Sequence, residues 1–126
     1  METKKTILVV EDEKSLRQAI VDSLKLKNYL CLEAGDGKEA LDIALVKHPD
    51  LILLDLLLPV FNGMTVLKKI RKDQWGEQVP IIILTNLSAT DVDLVEGMVK
   101  YKPTYYLVKS DWKIKDIIKK IQKILS

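Results

Sequence analysis

Five polar residues sit where apolar runs stop. Glu11 and Asp12 follow Ile7-Leu8-Val9-Val10, Asp55 follows Leu51-Ile52-Leu53-Leu54, Thr85 follows Ile81-Ile82-Ile83-Leu84, and Lys109 follows Tyr106-Leu107-Val108. Three acids brought within a few ångströms repel, which raises carboxyl pKa values or draws in a cation. No imidazole or thiolate accompanies them, so oxygen ligation of a hard cation, Mg2+, is the expectation. Mg2+ commonly takes one or two carboxylates, keeps waters and completes its shell with substrate phosphate oxygens. The Thr85 hydroxyl and the flexible Lys109 ammonium could reach those same oxygens. Taken singly, each residue reads as a strand-end cap or a loop charge. Taken together they describe a phosphoryl site with a nucleophile, a metal and two charge-stabilising donors.

Such convergence requires the four runs to be parallel strands whose carboxyl ends line one sheet edge, where open α/β sheets bind ligands. Runs that are apolar at nearly every position fit strands buried on both faces. Helical spacing appears between them. Leu16, Ile20, Leu24 and Leu26 mark a first helix after Glu13; Ala40, Leu41, Ala44 and Leu45 mark a second, ended by His48-Pro49-Asp50. Met64, Leu67, Lys68 and Ile70-Arg71 suggest a third, and Val92, Val95, Met98 and Val99 a fourth. Ile114, Ile117, Ile118, Ile121, Ile124 and Leu125 form one stripe on a fifth, with lysines opposite. Tyr29–Ala34 reads as the second strand. Strand–helix alternation predicts an α/β, doubly wound (βα)5 flavodoxin-like three-layer sandwich. Its parallel five-stranded sheet has the order 2-1-3-4-5, with a switch point between strands one and three that sets Glu11-Asp12 beside Asp55. Residues 1–126 read as one domain.

Composition narrows the function classes. With 126 residues, 48% hydrophobic and 30% charged, the chain predicts a folded core rather than disorder. One cysteine, Cys31, excludes an internal disulfide, suits a reducing compartment and reads as buried filler. No apolar run approaches the ~18 residues of a membrane span, and the first strand follows the start too closely for a signal peptide; the expectation is a cytoplasmic protein. A net charge of +2 does not argue for nucleic acid. The lysines near the end (Lys113, Lys115, Lys119, Lys120, Lys123) read first as a solvated helix face. His48, the only histidine, reads as a turn residue.

Across nearly the whole chain the sequence resembles the receiver domains of two-component response regulators. Ile7-Leu8-Val9-Val10-Glu11-Asp12-Glu13 is similar to that family's first strand and acidic motif. Asp55-Leu56-Leu57-Leu58-Pro59-Val60-Phe61-Asn62-Gly63-Met64 is similar to its phospho-acceptor segment, with Pro four and Gly eight residues after the Asp. Leu84-Thr85 and Tyr106-Leu107-Val108-Lys109 match the strand ends carrying its hydroxyl, aromatic switch and lysine. The resemblance implies that Asp55 accepts a phosphoryl group from a histidine kinase's phosphohistidine. It implies that Asp12 ligates Mg2+, that Glu11 holds the metal's waters, and that Leu57 supplies a backbone carbonyl. Lys109 would pair with Asp55 and then with the phosphoryl oxygens. Thr85 would move onto the phosphoryl group, opening space for Tyr106, although Tyr106 also reads as a core-filling tyrosine. The output would be partner binding through helix four, strand five and helix five, as a monomer or a phosphorylation-dependent dimer. The domain would be no enzyme beyond promoting its own phosphorylation and dephosphorylation.

Several positions depart from the family pattern. Ser110 stands where Pro usually follows the lysine, often after a cis bond, which leaves the Lys109–Ser110 geometry open because a non-proline cis bond is costly. Asn86 replaces the small residue after the hydroxyl, Lys102-Pro103-Thr104 replaces Gly-Ala before strand five, and Tyr105 adds a second aromatic. Leu57 and Leu87, each two residues beyond a site residue, offer no polar side chain to orient an attacking water, which predicts slow self-dephosphorylation. A haloacid-dehalogenase-like phosphatase would need an acid at position 57. A flavodoxin-like nucleotide binder would need a Gly-, Ser- or Thr-rich loop after strand one, where Glu-Asp-Glu stands instead. The remaining alternative is a receiver-fold interaction domain that works without phosphorylation. The chain reads either as a stand-alone receiver or as part of a longer regulator. A stand-alone form would dock on a partner or relay the phosphoryl group to a phosphotransfer protein.

Overall fold

The computed structural model describes residues 4–88 and 91–126. Its elements follow in the order β1 (Thr6–Val10), α1 (Lys14–Leu26), β2 (Leu30–Ala34), α2 (Gly37–Lys47), β3 (Leu51–Leu54), α3 (Gly63–Lys72), β4 (Ile81–Thr85), α4 (Val92–Tyr101), β5 (Tyr105–Val108) and α5 (Ile114–Leu125). All strand pairs are parallel and the sheet order is β2-β1-β3-β4-β5, as the alternation of periods predicts. Short 3-10 turns at Trp75–Glu77 and Lys109–Asp111 were not legible in the sequence.

The continuous apolar runs are explained by burial on both faces. Ile7, Val9, Leu51, Leu53, Ile82 and Leu84 pack with Ile20, Val21 and Leu24 of α1 and Ile117, Ile118 and Ile121 of α5. Their neighbours Leu8, Val10, Ile52, Leu54, Ile81 and Ile83 pack on the opposite side with Ala40 and Ala44 of α2, Leu67 and Ile70 of α3 and Leu94 of α4. Helices α2, α3 and α4 begin where side chains satisfy backbone donors: Asp36 accepts from Glu39 N, Asn62 from Thr65 N and Asp91 from Leu94 N. His48 ends α2 in the left-handed conformation (φ 47°) and its ring stacks on Trp75, with centroids 4.6 Å apart. The turn reading of His48 therefore holds.

Helix α4 corrects the expected face. Of the stripe Val92, Val95, Met98 and Val99, the three valines are exposed. Met98 turns inward as read, together with Leu94, which the stripe left out, and Met64 of α3 packs against the same core. Two apolar faces compete along Leu94-Val95 and Met98-Val99, and periodicity alone does not choose between them. Gly97 marks the face that won, since a Cβ there would run into the Met64 side chain. Leu26, expected to face the core from α1, is likewise exposed, and Leu45 of α2 is at the exposed margin. Cys31 is half-buried rather than fully buried, because β2 is an edge strand.

Candidate functional site

Strand register assembles the site. Val10 lies beside Leu54 and Leu54 beside Ile83, so Glu11 and Asp55, each one residue further on, emerge side by side. The Asp55 N–H donates to Val10 O (3.1 Å) and the Glu11 N–H to Ala34 O (3.0 Å), prolonging the ladders past the strand ends. Thr85 pairs with Val108, which puts Lys109 one step beyond on the neighbouring strand.

The side chains then meet. Lys109 Nζ donates to Asp55 Oδ2 at 2.7 Å and forms an ion pair with Glu11 as well. Asp55 Oδ1 accepts from Leu57 N (3.1 Å), and Glu11 Oε2 accepts from Glu13 N (3.0 Å). Glu11 and Asp55 are each only 3% exposed, whereas Asp12 faces solvent. One carboxylate oxygen from each of Glu11, Asp12 and Asp55 lies within 4.8 Å of the others. This all-oxygen set, two buried acids beside a wet one, fits a hard cation that keeps part of its water shell.

Burial raises the Glu11 carboxyl above its usual range, opposed by its bonds to Lys109 and Glu13 N–H. Burial works against the Lys109 ammonium too, but the hydrogen bonds to Asp55 and Glu11 outweigh it and its pKa rises. Lys109 is thus held charged between two acids.

Thr85 is fully buried, and its hydroxyl accepts from Leu87 N (3.4 Å) rather than joining the ion-pair cluster. Tyr106 is half-buried and donates its hydroxyl to Leu87 O at 2.6 Å, so Thr85 and Tyr106 grip the same residue from two sides. Burial and then the Asp55 charge raise the Tyr106 pKa, which keeps that donor protonated. The side chains of Leu57 and Leu87 are both exposed. Described peptide bonds are all trans, Lys109–Ser110 included, and Lys109 reaches Asp55 in that geometry.

A family model, response regulator receiver domain, matches residues 7–122. The chain belongs to that family. Response regulator ArlR of Staphylococcus aureus is 40% identical over 94% of this chain, which corresponds to 52% of the relative. The phosphate regulon transcriptional regulatory protein PhoB of Pseudomonas aeruginosa is 36% identical over 75% of this chain and 41% of its own length. This receiver domain spans about half the length, or less, of such curated relatives. Among solved structures, the chemotaxis response regulator CheY4 of Vibrio cholerae superposes with a TM-score of 0.84 at 29% identity, covering 97% of this chain and 99% of that one.

Two arginines that tie elements of the receiver together escaped the sequence reading. Arg17 of α1 donates to Glu11 O (2.6 Å) and to Glu33 (3.3 Å), tying the acidic loop to α1 and β2. Arg71, noted only as a helix residue, donates to the carbonyls of Gly76, Val79, Tyr101 and Lys102. Neither carries a motif signal, because most of their partners are backbone carbonyls, which any residue offers.

Proposed function

We propose that this receiver domain accepts a phosphoryl group on Asp55 from the phosphohistidine of a histidine kinase or phosphotransfer protein. A carboxylate oxygen of Asp55 attacks phosphorus, the P–N bond breaks, and the imidazole departs with its electron pair and is reprotonated from water. Asp12, Asp55 and the Leu57 carbonyl would hold Mg2+, with Glu11 reaching it through water; the ion, when bound, offsets charge on the phosphoryl oxygens. Lys109 passes from the Asp55 carboxylate to those oxygens and keeps its charge close to the reacting centre. The observation that carries the reading is the Lys109 ammonium bridging two buried acids beside a solvent-facing third.

The Thr85 hydroxyl then turns from Leu87 N toward the phosphoryl group, and Tyr106 repacks against the space it leaves. Charge-assisted contacts of this kind bias a two-state element. The output is partner binding through α4, β5 and α5, where Val92, Val95 and Val99 are exposed. We place the protein in the cytoplasm, since no described helix is long and apolar enough to cross a membrane and one cysteine suits a reducing compartment.

The test is reaction with acetyl phosphate, or beryllofluoride binding, with and without Mg2+, read by intact mass and tryptophan fluorescence. A Mg2+-dependent gain of one phosphoryl group, lost in Asp55→Asn, is expected. No reaction of the wild type would leave the domain as an interaction module that works without phosphorylation.

A further inference from the structure

We propose that the open edge of β2 docks an extended, acidic segment of a partner protein, which adds to the sheet as a sixth strand. Among the described residues β2 pairs only with β1, and it lies at the end of the sheet order. The Leu30 N–H donates to Lys5 O, and Ala34 O accepts from Glu11 N. In a parallel ladder these contacts alternate, so the backbone groups of Cys31 and Glu33 face away from the sheet. That row is a template for strand addition.

The usual defences of an edge are missing from β2. Its five residues, Leu-Cys-Leu-Glu-Ala, contain neither proline nor lysine, and its register with β1 runs unbroken from Thr6–Leu30 to Val10–Ala34, with no bulge. The single charge, Glu33, is paired with Arg17. Two hollows flank the edge. One, of about 640 Å³, wraps the Leu30 end; the other, of about 480 Å³, runs between β2 and α2, and both are lined by Cys31, Leu32 and Lys47. Leu30 is 50% exposed and Val46, in the second hollow, 76%. Alternate side chains of an added strand would enter these two hollows, as a pleated strand requires.

Charge decides the occupant. Lys4, Lys25 and Lys47 line the larger hollow, and none pairs with a carboxylate among the described residues. Lysines at helix ends complement the helix dipole, which accounts for Lys25 and Lys47 taken singly. Lys4 precedes a strand and has no such reason. Three unpaired ammonium groups around a half-exposed leucine match a segment that carries carboxylates among apolar residues. The surface is separate from the phosphoryl site, so the inference does not depend on the reading of Asp55.

The probe is a blocked synthetic peptide of alternating glutamate and valine, titrated against 15N-labelled protein, with a lysine–valine peptide as control. The acidic peptide should bind saturably and slow amide exchange at Cys31 and Glu33; the basic one should not. Lys25→Glu/Lys47→Glu, a change on exposed side chains that leaves the core intact, should weaken binding by about tenfold or more. Cys31→Pro removes an outward amide and should abolish it. Asp55→Asn should bind as wild type does, which separates this surface from phosphorylation. The inference is overturned by equal binding of the two peptides, by binding without protection of Cys31 and Glu33, by undiminished binding to the lysine-reversed protein, or by no binding at all.

Discussion

Lys109 holds the site together before any phosphoryl group arrives. Its ammonium offsets two carboxylates that are almost wholly buried. Breaking such a pairing leaves uncompensated charge, although partial exposure of the lysine reduces the cost. Lys109→Met should therefore lower stability by about 2 kcal/mol in metal-free buffer, and added Mg2+ should restore part of it. Urea unfolding with and without the ion measures both; a midpoint that stays put would show that the acids relax without help. Leu57 and Leu87 make the second prediction at individual side chains. Both are exposed beside the site and neither can orient water. Leu57→Asn/Leu87→Glu should speed decay of the Asp55 acyl phosphate by about tenfold, a modest share of what a positioned acid–base group supplies. An unchanged decay rate would remove the hypothesis of a long-lived phosphoryl state.

Among the elements, the segment joining β3 to α3 does most to place Asp55. The Gly63 N–H donates to Leu56 O at 2.9 Å, and a Cβ on Gly63 would clash with the Asp55 carbonyl oxygen. The glycine eight residues after Asp55 is thus required by close backbone approach. Gly63→Ala should cost about 2 kcal/mol, in the range of overpacked sites, and should slow phosphorylation because Asp55 is displaced. Losing stability without losing rate would mean that the segment yields away from Asp55. Asn62, which caps the same helix through Thr65 N (2.9 Å), offers a milder control. Asn62→Ala should cost about 1 kcal/mol and leave the phosphorylation rate near wild type, as thermal unfolding and phosphodonor kinetics would show.

For the molecule as a whole, Arg71 ties down one end of α4. Its guanidinium joins the end of α4, at Tyr101 O and Lys102 O, to Gly76 O and Val79 O ahead of β4. Burial lowers its pKa, yet an arginine remains charged in this setting. The opposite end of α4 lies nearer Leu87, where the Thr85 and Tyr106 contacts meet. Beryllofluoride with Mg2+ should therefore change amide exchange mainly in the first turns of α4 and leave Met98–Tyr101 protected. Arg71→Met should spread the change along the helix and destabilise the fold by about 2 kcal/mol, the worth of hydrogen bonds to a charged group. Uniform exchange along α4 in the wild type would remove Arg71 as the anchor.

Strand runs, helix order, sheet order and the residues at the strand ends were legible in the chain, because burial on both sheet faces imposes a pattern that neighbours in sequence share. The juxtaposition of Glu11 with Asp55 followed from the sheet order, since topology alone sets which strand ends touch. Three other features were decided only by tertiary packing. α4 had two apolar faces of similar strength, and contact with Met64 chose the one bearing Leu94 and Met98. Lys109 pairs with Glu11 as well as Asp55 because the lysine stem crosses from β5 to the first strand's end, a reach that spacing does not encode. Arg17 and Arg71 find backbone carbonyls, which every residue carries and no motif marks. A sequence names the groups that can do chemistry; the distances between them are a property of the assembled sheet.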